Sequence, residues 1–240
     1  ILNILMKEVA FVIPTCSYNL PDEPVLNQHL YKIFLTSLRD NCPDFIINLY
    51  LGYNTKDKIY NDTDNQMLVK ATCILQPNIK FNWFEMSDDT IGKPTWIWNE
   101  LSKKAVQDGN DYLFVCGDDI VFPKQKEWLG VMIKKLKSNN NMGIAGGDSG
   151  NPNLPMTQFL ISKKHLEIFD FVFPSMIHNH YCDNWILEVY PKKYIHYCEQ
   201  YKLLNMGGQP RYTPKDDKGL YKMLVKRYRP NFIRYISLIQ

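Results

Sequence analysis

No run of about 18 consecutive apolar residues occurs in the 240 residues, so the pattern holds no membrane-spanning helix. There is no CxxC pair. The six cysteines (16, 42, 73, 116, 182, 198) are scattered, and Cys16, Cys73, Cys116 and Cys198 sit among apolar residues. They read as reduced thiols rather than a disulfide frame or a zinc site, which points to a cytoplasmic, reducing compartment. No GxGxxG follows the first apolar run and no GxxxxGK[ST] occurs, excluding the usual dinucleotide and P-loop phosphate cradles. HExxH and GxSxG are also missing. Neither sign of charge dominates. A net charge of +3 is too mild to predict a nucleic-acid partner, and 22% charged residues against 45% hydrophobic is globular rather than disordered.

What is present is an alternation of strand and helix signals. Residues 9–14 (VAFVIP), 45–51, 79–84, 111–116 (DYLFVC) and 142–145 read as strands, several of them apolar throughout, as buried parallel strands are. Helical spacing runs through 25–41, where Leu26, Leu30, Ile33, Phe34 and Leu38 share a face. Further helices are expected near 64–75, from Pro94 to 106, and over 126–136. Beyond 147 the elements shorten: a strand at 157–162, helices at 163–169 and 180–190, a strand at 194–198, a loop at 205–214 and a basic helix from 216 to 227. These observations predict one α/β domain with a mostly parallel sheet and helices on both faces. Its 1–147 half would bind a ligand beyond the carboxyl ends of the strands, 148–214 would add a second wall, and 215–240 is a basic segment carrying +5. The chain opens on Ile1 rather than Met, so the expectation is a piece of a longer protein.

The strongest chemical signal is YLFVCGDDIVF, residues 112–122. Asp118 and Asp119 close a buried strand, where adjacent like charges repel in a partly desolvated place. No cationic partner is visible nearby in sequence, which predicts a bound divalent cation. The alternative is a turn in which one of the pair caps the helix near Lys126.

A first strand ending in PTCSYN, a second ending near GYN, and a helix before DYLFVCGDD together resemble the GT-A fold of nucleotide-sugar glycosyltransferases. Gly117, Asp118 and Asp119 resemble that family's DxD-type metal motif, although position 117 is glycine where many members carry an acid. The Asn-, Lys- and Ile-rich composition is similar to that of glycosyltransferases of large DNA viruses, which would put the protein in a host cytoplasm. The resemblance spans residues 8–215. It implies a metal-dependent enzyme using Mn²⁺ or Mg²⁺, moving a sugar from a UDP-sugar to a hydroxyl of a glycan or glycoprotein acceptor.

It also implies residue roles. The metal rests mostly on Asp119, with Asp118 nearer the ribose or sugar and His196 on a late strand as third ligand. Thr15, Cys16 and Ser17 lie against the nucleotide, with Tyr18 stacking on the base and Tyr53 approaching ribose or base. Lys93 reaches a phosphate, and Arg211 and Tyr212, after Gly207 and Gly208, close over the diphosphate. For inverting transfer the candidate base is Asp183, which follows the aromatic run 178–181 at the start of a helix. The helix dipole is expected to favour its ionised form. The rival readings are a sugar-nucleotide nucleotidyltransferase, for which PTCSYN lacks a glycine-rich basic loop, and a non-catalytic module whose basic tail is its main feature. The basic carboxyl segment is also expected to make peripheral membrane contact.

Overall fold

A computed structural model describes residues 7–18, 23–150, 156–208, 211–214 and 218–239. Strands β1 (Glu8–Pro14), β2 (Ile46–Asn54), β3 (Ile79–Met86) and β4 (Tyr112–Val115) are mutually parallel. A two-residue strand, β5 (Ile120–Val121), follows, then β6 (Ile144–Asp148), β7 (Phe159–Ser162), β8 (Ile195–Lys202) and β9 (Leu204–Asn205). The central sheet has seven strands in the order β3-β2-β1-β4-β7-β6-β8, with β7 alone antiparallel to its neighbours. β5 and β9 pair apart from it, antiparallel.

Why the sheet is covered on both faces follows from period-two alternation. Val9, Phe11 and Ile13 of β1 enter one cluster of buried side chains, and Ala10 and Val12 enter the other. The first cluster is closed by a helical segment at 30–40 and by α2 (Thr63–Ala71) and α4 (Trp128–Ser138). The second is closed by α3 (Pro94–Gln107), α5 (Lys164–Phe169), α6 (Cys182–Val189) and α7 (Lys218–Ile239). This is the α/β, GT-A arrangement anticipated from the sequence.

Several boundaries differ from expectation. The single helix expected at 25–41 is a 3-10 turn (Val25–Asn27), a π-helix (Leu30–Leu35) and a short α-helix, α1 (Thr36–Asp40). The wider π turn rotates side chains relative to an ideal α-helix. The basic helix begins at Lys218 and continues to Ile239, carrying Pro230 inside it; positions 215–217 lie outside the described residues. All six cysteines are free, and five are buried.

Candidate functional site

From β1 the chain moves to β2 and β3 on one side, then crosses by α3 to β4 on the other side of β1. Their carboxyl ends therefore part at a topological switch point, where an open α/β sheet offers a crevice. Thr15 follows β1, and Asp118 and Asp119 follow β4. A cavity of about 780 Å³ opens there. Thr15, Cys16, Asn54, Lys93, Trp98, Asp119, His180, Tyr181 and Asp183 are among the residues that line it.

The acidic pair divides its work. Asp118 is fully buried. Its carboxylate accepts from Thr15 Oγ1 at 2.7 Å and from Arg211 Nη1 at 2.9 Å, with Arg211 Nη2 on its other oxygen. Arg211 also donates to the Cys16 carbonyl at 2.6 Å. Burial works against the guanidinium charge, and the adjoining Asp118 more than restores it. The cationic partner that the local sequence did not reveal is thus Arg211. Asp118 is engaged by Thr15 and Arg211, and neither carboxylate caps a helix, since α4 has Glu127 at its start with no side-chain cap.

Asp119 is left more exposed to the conflict. Its carboxyl is pushed up to about 6 by burial and by Asp118, with Arg211 Nη2 3.9 Å away. Two glycines make room for it: a Cβ on either Gly117 or Gly207 would collide with its carboxylate. Pairing of β5 with β9 brings Gly207 there, and Met206 N donates to the Asp119 carbonyl at 2.9 Å.

The third group beside the pair is His29, at the start of the π-helix. Donor atoms of His29, Asp118 and Asp119 all lie within 4.8 Å of one another. Burial, and then Arg211, lowers the His29 pKa, which favours its neutral imidazole. Its Nδ1 is buried without a hydrogen-bond partner. An imidazole with an orphaned nitrogen, set beside a glycine-cradled carboxylate, suits a divalent cation, so the residues present fit one. His196, by contrast, is not brought to the pair. It sits on β8 opposite Ala145, with Nε2 3.0 Å from Asn139 Nδ2.

Other expected contacts sort in the same way. Cys16, Tyr18 and Lys93 line the cavity; Tyr18 Oη is buried without a partner, and Lys93 Nζ sits 3.9 Å above the Trp96 ring. Ser17 is turned away: its N and Oγ both donate to Asp57, at 2.6 and 2.7 Å. Asp57 is fully buried and also accepts from the backbone of Ile59 and Tyr60, so it ties the loop after β1 to the loop after β2. Tyr53 packs into the core with its ring 6.1 Å from Trp83, and the next residue, Asn54, faces the cavity instead. Alternation along β2 decides between them.

The segment leading into α6 hangs on α3. Thr95 Oγ1 donates to the His178 carbonyl at 2.9 Å, and Asn99 Oδ1 accepts from the backbone N–H of Val172 and Phe173, both at 2.9 Å. Tyr181 holds a left-handed backbone (φ 66°) at the start of α6, its ring stacked on Tyr221 of α7 at 5.2 Å. Asp183 lies in the first turn of α6, half-buried in the cavity wall, and accepts from Cys182 Sγ at 3.3 Å. Burial pushes its carboxyl up to about 6, against the smaller lowering effect of the Cys182 thiol.

His29, Asp57 and the pairing of Asp118 with Arg211 had no signal in the sequence pattern. Each depends on residues brought together from far apart in the chain.

The sheet order, the covered faces and a cavity at the switch point define a GT-A-like fold. One solved structure agrees: TarS 1–349 of S. aureus superposes with a TM-score of 0.57 at 13% identity, over 92% of this chain and 64% of that one. This chain therefore spans less than two thirds of that structure. A glycosyltransferase involved in the glycosylation of the major capsid of PBCV-1 gives 0.43 at 14% identity, over 75% and 98% of the two chains. A cytidylyltransferase from Leptospira borgpetersenii gives 0.46 at 10% identity, over 94% and 96%. No protein-family model matches the sequence, and no curated protein does.

Proposed function

We propose that the protein is a nucleotide-sugar-using transferase: a metal-dependent glycosyltransferase that moves a sugar from a UDP-sugar to a hydroxyl acceptor. The observation that carries this reading is that one cavity is lined both by Asp119, a glycine-cradled carboxylate near Arg211, and by Asp183, a carboxylate beside the aromatic rings of His180 and Tyr181.

In this reading Asp119 and His29 hold Mn²⁺ or Mg²⁺, which when bound supplies positive charge for the diphosphate of the leaving nucleotide. Arg211, anchored on Asp118, adds positive charge beside the same phosphates, and Lys93 adds a point charge from the cavity lining. Tyr18 and Asn54 face the nucleoside. Asp183 takes the proton from the acceptor hydroxyl, and a carboxyl near 6 is ionised at neutral pH yet basic enough to do so. Tyr181 and His180 flank it as surfaces for a sugar ring. The unpaired thiols suit a reducing compartment.

The test is calorimetry with UDP, with and without Mn²⁺, on the wild type and on Asp119→Asn, together with a donor screen that identifies products. The reading predicts metal-dependent UDP binding lost in Asp119→Asn, and UDP released from a UDP-sugar. Release of pyrophosphate from a nucleoside triphosphate would reassign the site to nucleotidyl transfer. No nucleotide binding under any condition would leave a non-catalytic module.

A further inference from the structure

The outer face of α7 combines two properties that the cavity does not use. Between Lys218 and Ile239 there are six cations and no acid. Lys218, Lys222, Lys226, Arg227, Arg229 and Arg234 are all exposed. The opposite face is buried through Tyr221, Leu224, Val225 and Phe232. The nearby acids are engaged at the packed edges. Glu188 accepts from Tyr221 Oη at 3.1 Å while its carbonyl accepts from Arg229, and Glu167 accepts from Tyr235 Oη at 2.8 Å. Interleaved with the cations are three large apolar side chains facing solvent: Met223 at 51%, Ile233 at 58% and Leu238 at 78% exposure.

We propose that this face docks the protein on an anionic lipid surface, with the cations at headgroup level and Met223, Ile233 and Leu238 entering the acyl boundary. Charge complementarity selects a polyanionic partner, and the apolar residues select a bilayer over a nucleic acid. A phosphodiester backbone offers nothing to bury Ile233 or Leu238, whereas an interfacial helix uses both kinds of side chain. At about 1.5 Å per residue the 22-residue helix presents a strip of roughly 33 Å. Among the described residues no helix is long and apolar enough to cross a membrane, so the contact is peripheral. Because Tyr221 stacks on Tyr181, a docked α7 holds the cavity wall at a fixed distance from the headgroups.

Co-sedimentation with phosphatidylserine-rich and pure phosphatidylcholine vesicles tests this, with single-stranded and duplex oligonucleotides as competitors. The wild type is expected to bind the anionic vesicles and not the neutral ones. Each neutralised cation should cost roughly fivefold, so Lys222→Gln/Lys226→Gln/Arg234→Gln should weaken partition on the order of 100-fold. Met223→Ser/Ile233→Ser should remove the part of the binding that survives high salt. Circular dichroism checks that both variants fold. Equal binding to both vesicle types, no binding to either, or tighter binding to oligonucleotide than to anionic vesicles would overturn the proposal.

Discussion

Asp118 and Arg211 form an ion pair beside the cavity, and breaking it has a calculable cost. The Asp118 side chain is 0% exposed and that of Arg211 14%, so water can replace little of what is lost. In Arg211→Ala the carboxylate keeps, among the described residues, only the hydrogen bond from Thr15 Oγ1, at 2.7 Å. Removing one partner of such a buried pair typically costs about 3–5 kcal/mol. For a domain of this length each kcal/mol lowers Tm by about 2–4 °C, so the expected drop is roughly 6–20 °C. Arg211→Lys keeps the charge, but a single ammonium cannot span both carboxylate oxygens and the Cys16 carbonyl, so its loss should be smaller, about 1.5–3 kcal/mol. The decisive variant is Arg211→Met/Asp118→Asn. With both charges gone neither partner of the pair is left buried alone, and most of the stability should return, giving a coupling energy of at least about 2 kcal/mol in the cycle. Urea unfolding followed by tryptophan fluorescence and far-ultraviolet circular dichroism measures the wild type, Arg211→Met, Asp118→Asn and the double variant, which make up the cycle, together with Arg211→Ala and Arg211→Lys. A loss below about 1 kcal/mol in Arg211→Ala, or additive single effects, would refute the argument that Arg211 is the buried counter-charge.

Other perturbations separate the remaining parts. Gly207→Ala places a Cβ against the Asp119 carboxylate and should swing it out of the cluster, weakening Mn²⁺ binding at least tenfold by calorimetry while Tm changes little; unchanged affinity would show that Asp119 does not hold the metal. Asp183→Asn should lower transfer on the order of 10²–10⁴-fold with UDP and metal affinity unchanged. Its folded pKa lies above the ordinary value, so the wild-type rate should rise with pH through an apparent pKa near 6. The linked stability is greatest at low pH, where Asp183 is protonated, and falls as pH climbs from about 4 to 6; Asp183→Asn should flatten that fall. Product NMR should show an inverted anomeric centre, and retention would reassign Asp183 to sugar binding. Saturating UDP should protect residues 205–215 from limited proteolysis, since the backbone there touches Asp119 and carries Arg211; identical cleavage would argue against closure over the diphosphate.

Local pattern was enough for the scaffold. The apolar run VAFVIP and the buried DYLFVC are strands because no amphipathic helix hides six consecutive apolar positions, and their alternation with helical spacing forces a largely parallel sheet covered on both faces. That topology alone put Thr15 and the Asp118 and Asp119 pair at strand ends, where the crevice forms. Pro94 at the start of a helix was equally readable, because a missing N–H costs nothing there.

What the local pattern could not carry were the pairings. Arg211 is 93 residues from the carboxylate it neutralises, so the acidic pair looked uncompensated until the chain folded back through β5 and β9. His29 looked like one turn of an ordinary helix, and His196 like a strand-borne ligand; the π-helix and the register of β8 decide which imidazole reaches the pair. Tyr53 and Asn54 differ by one position, and only their placement in the sheet sends one to the core and the other to the cavity. Secondary structure follows from short-range sterics and periodic hydrophobicity, which any window of sequence contains. The electrostatics of the site follow from which distant groups share one desolvated volume, and that is a property of the tertiary fold.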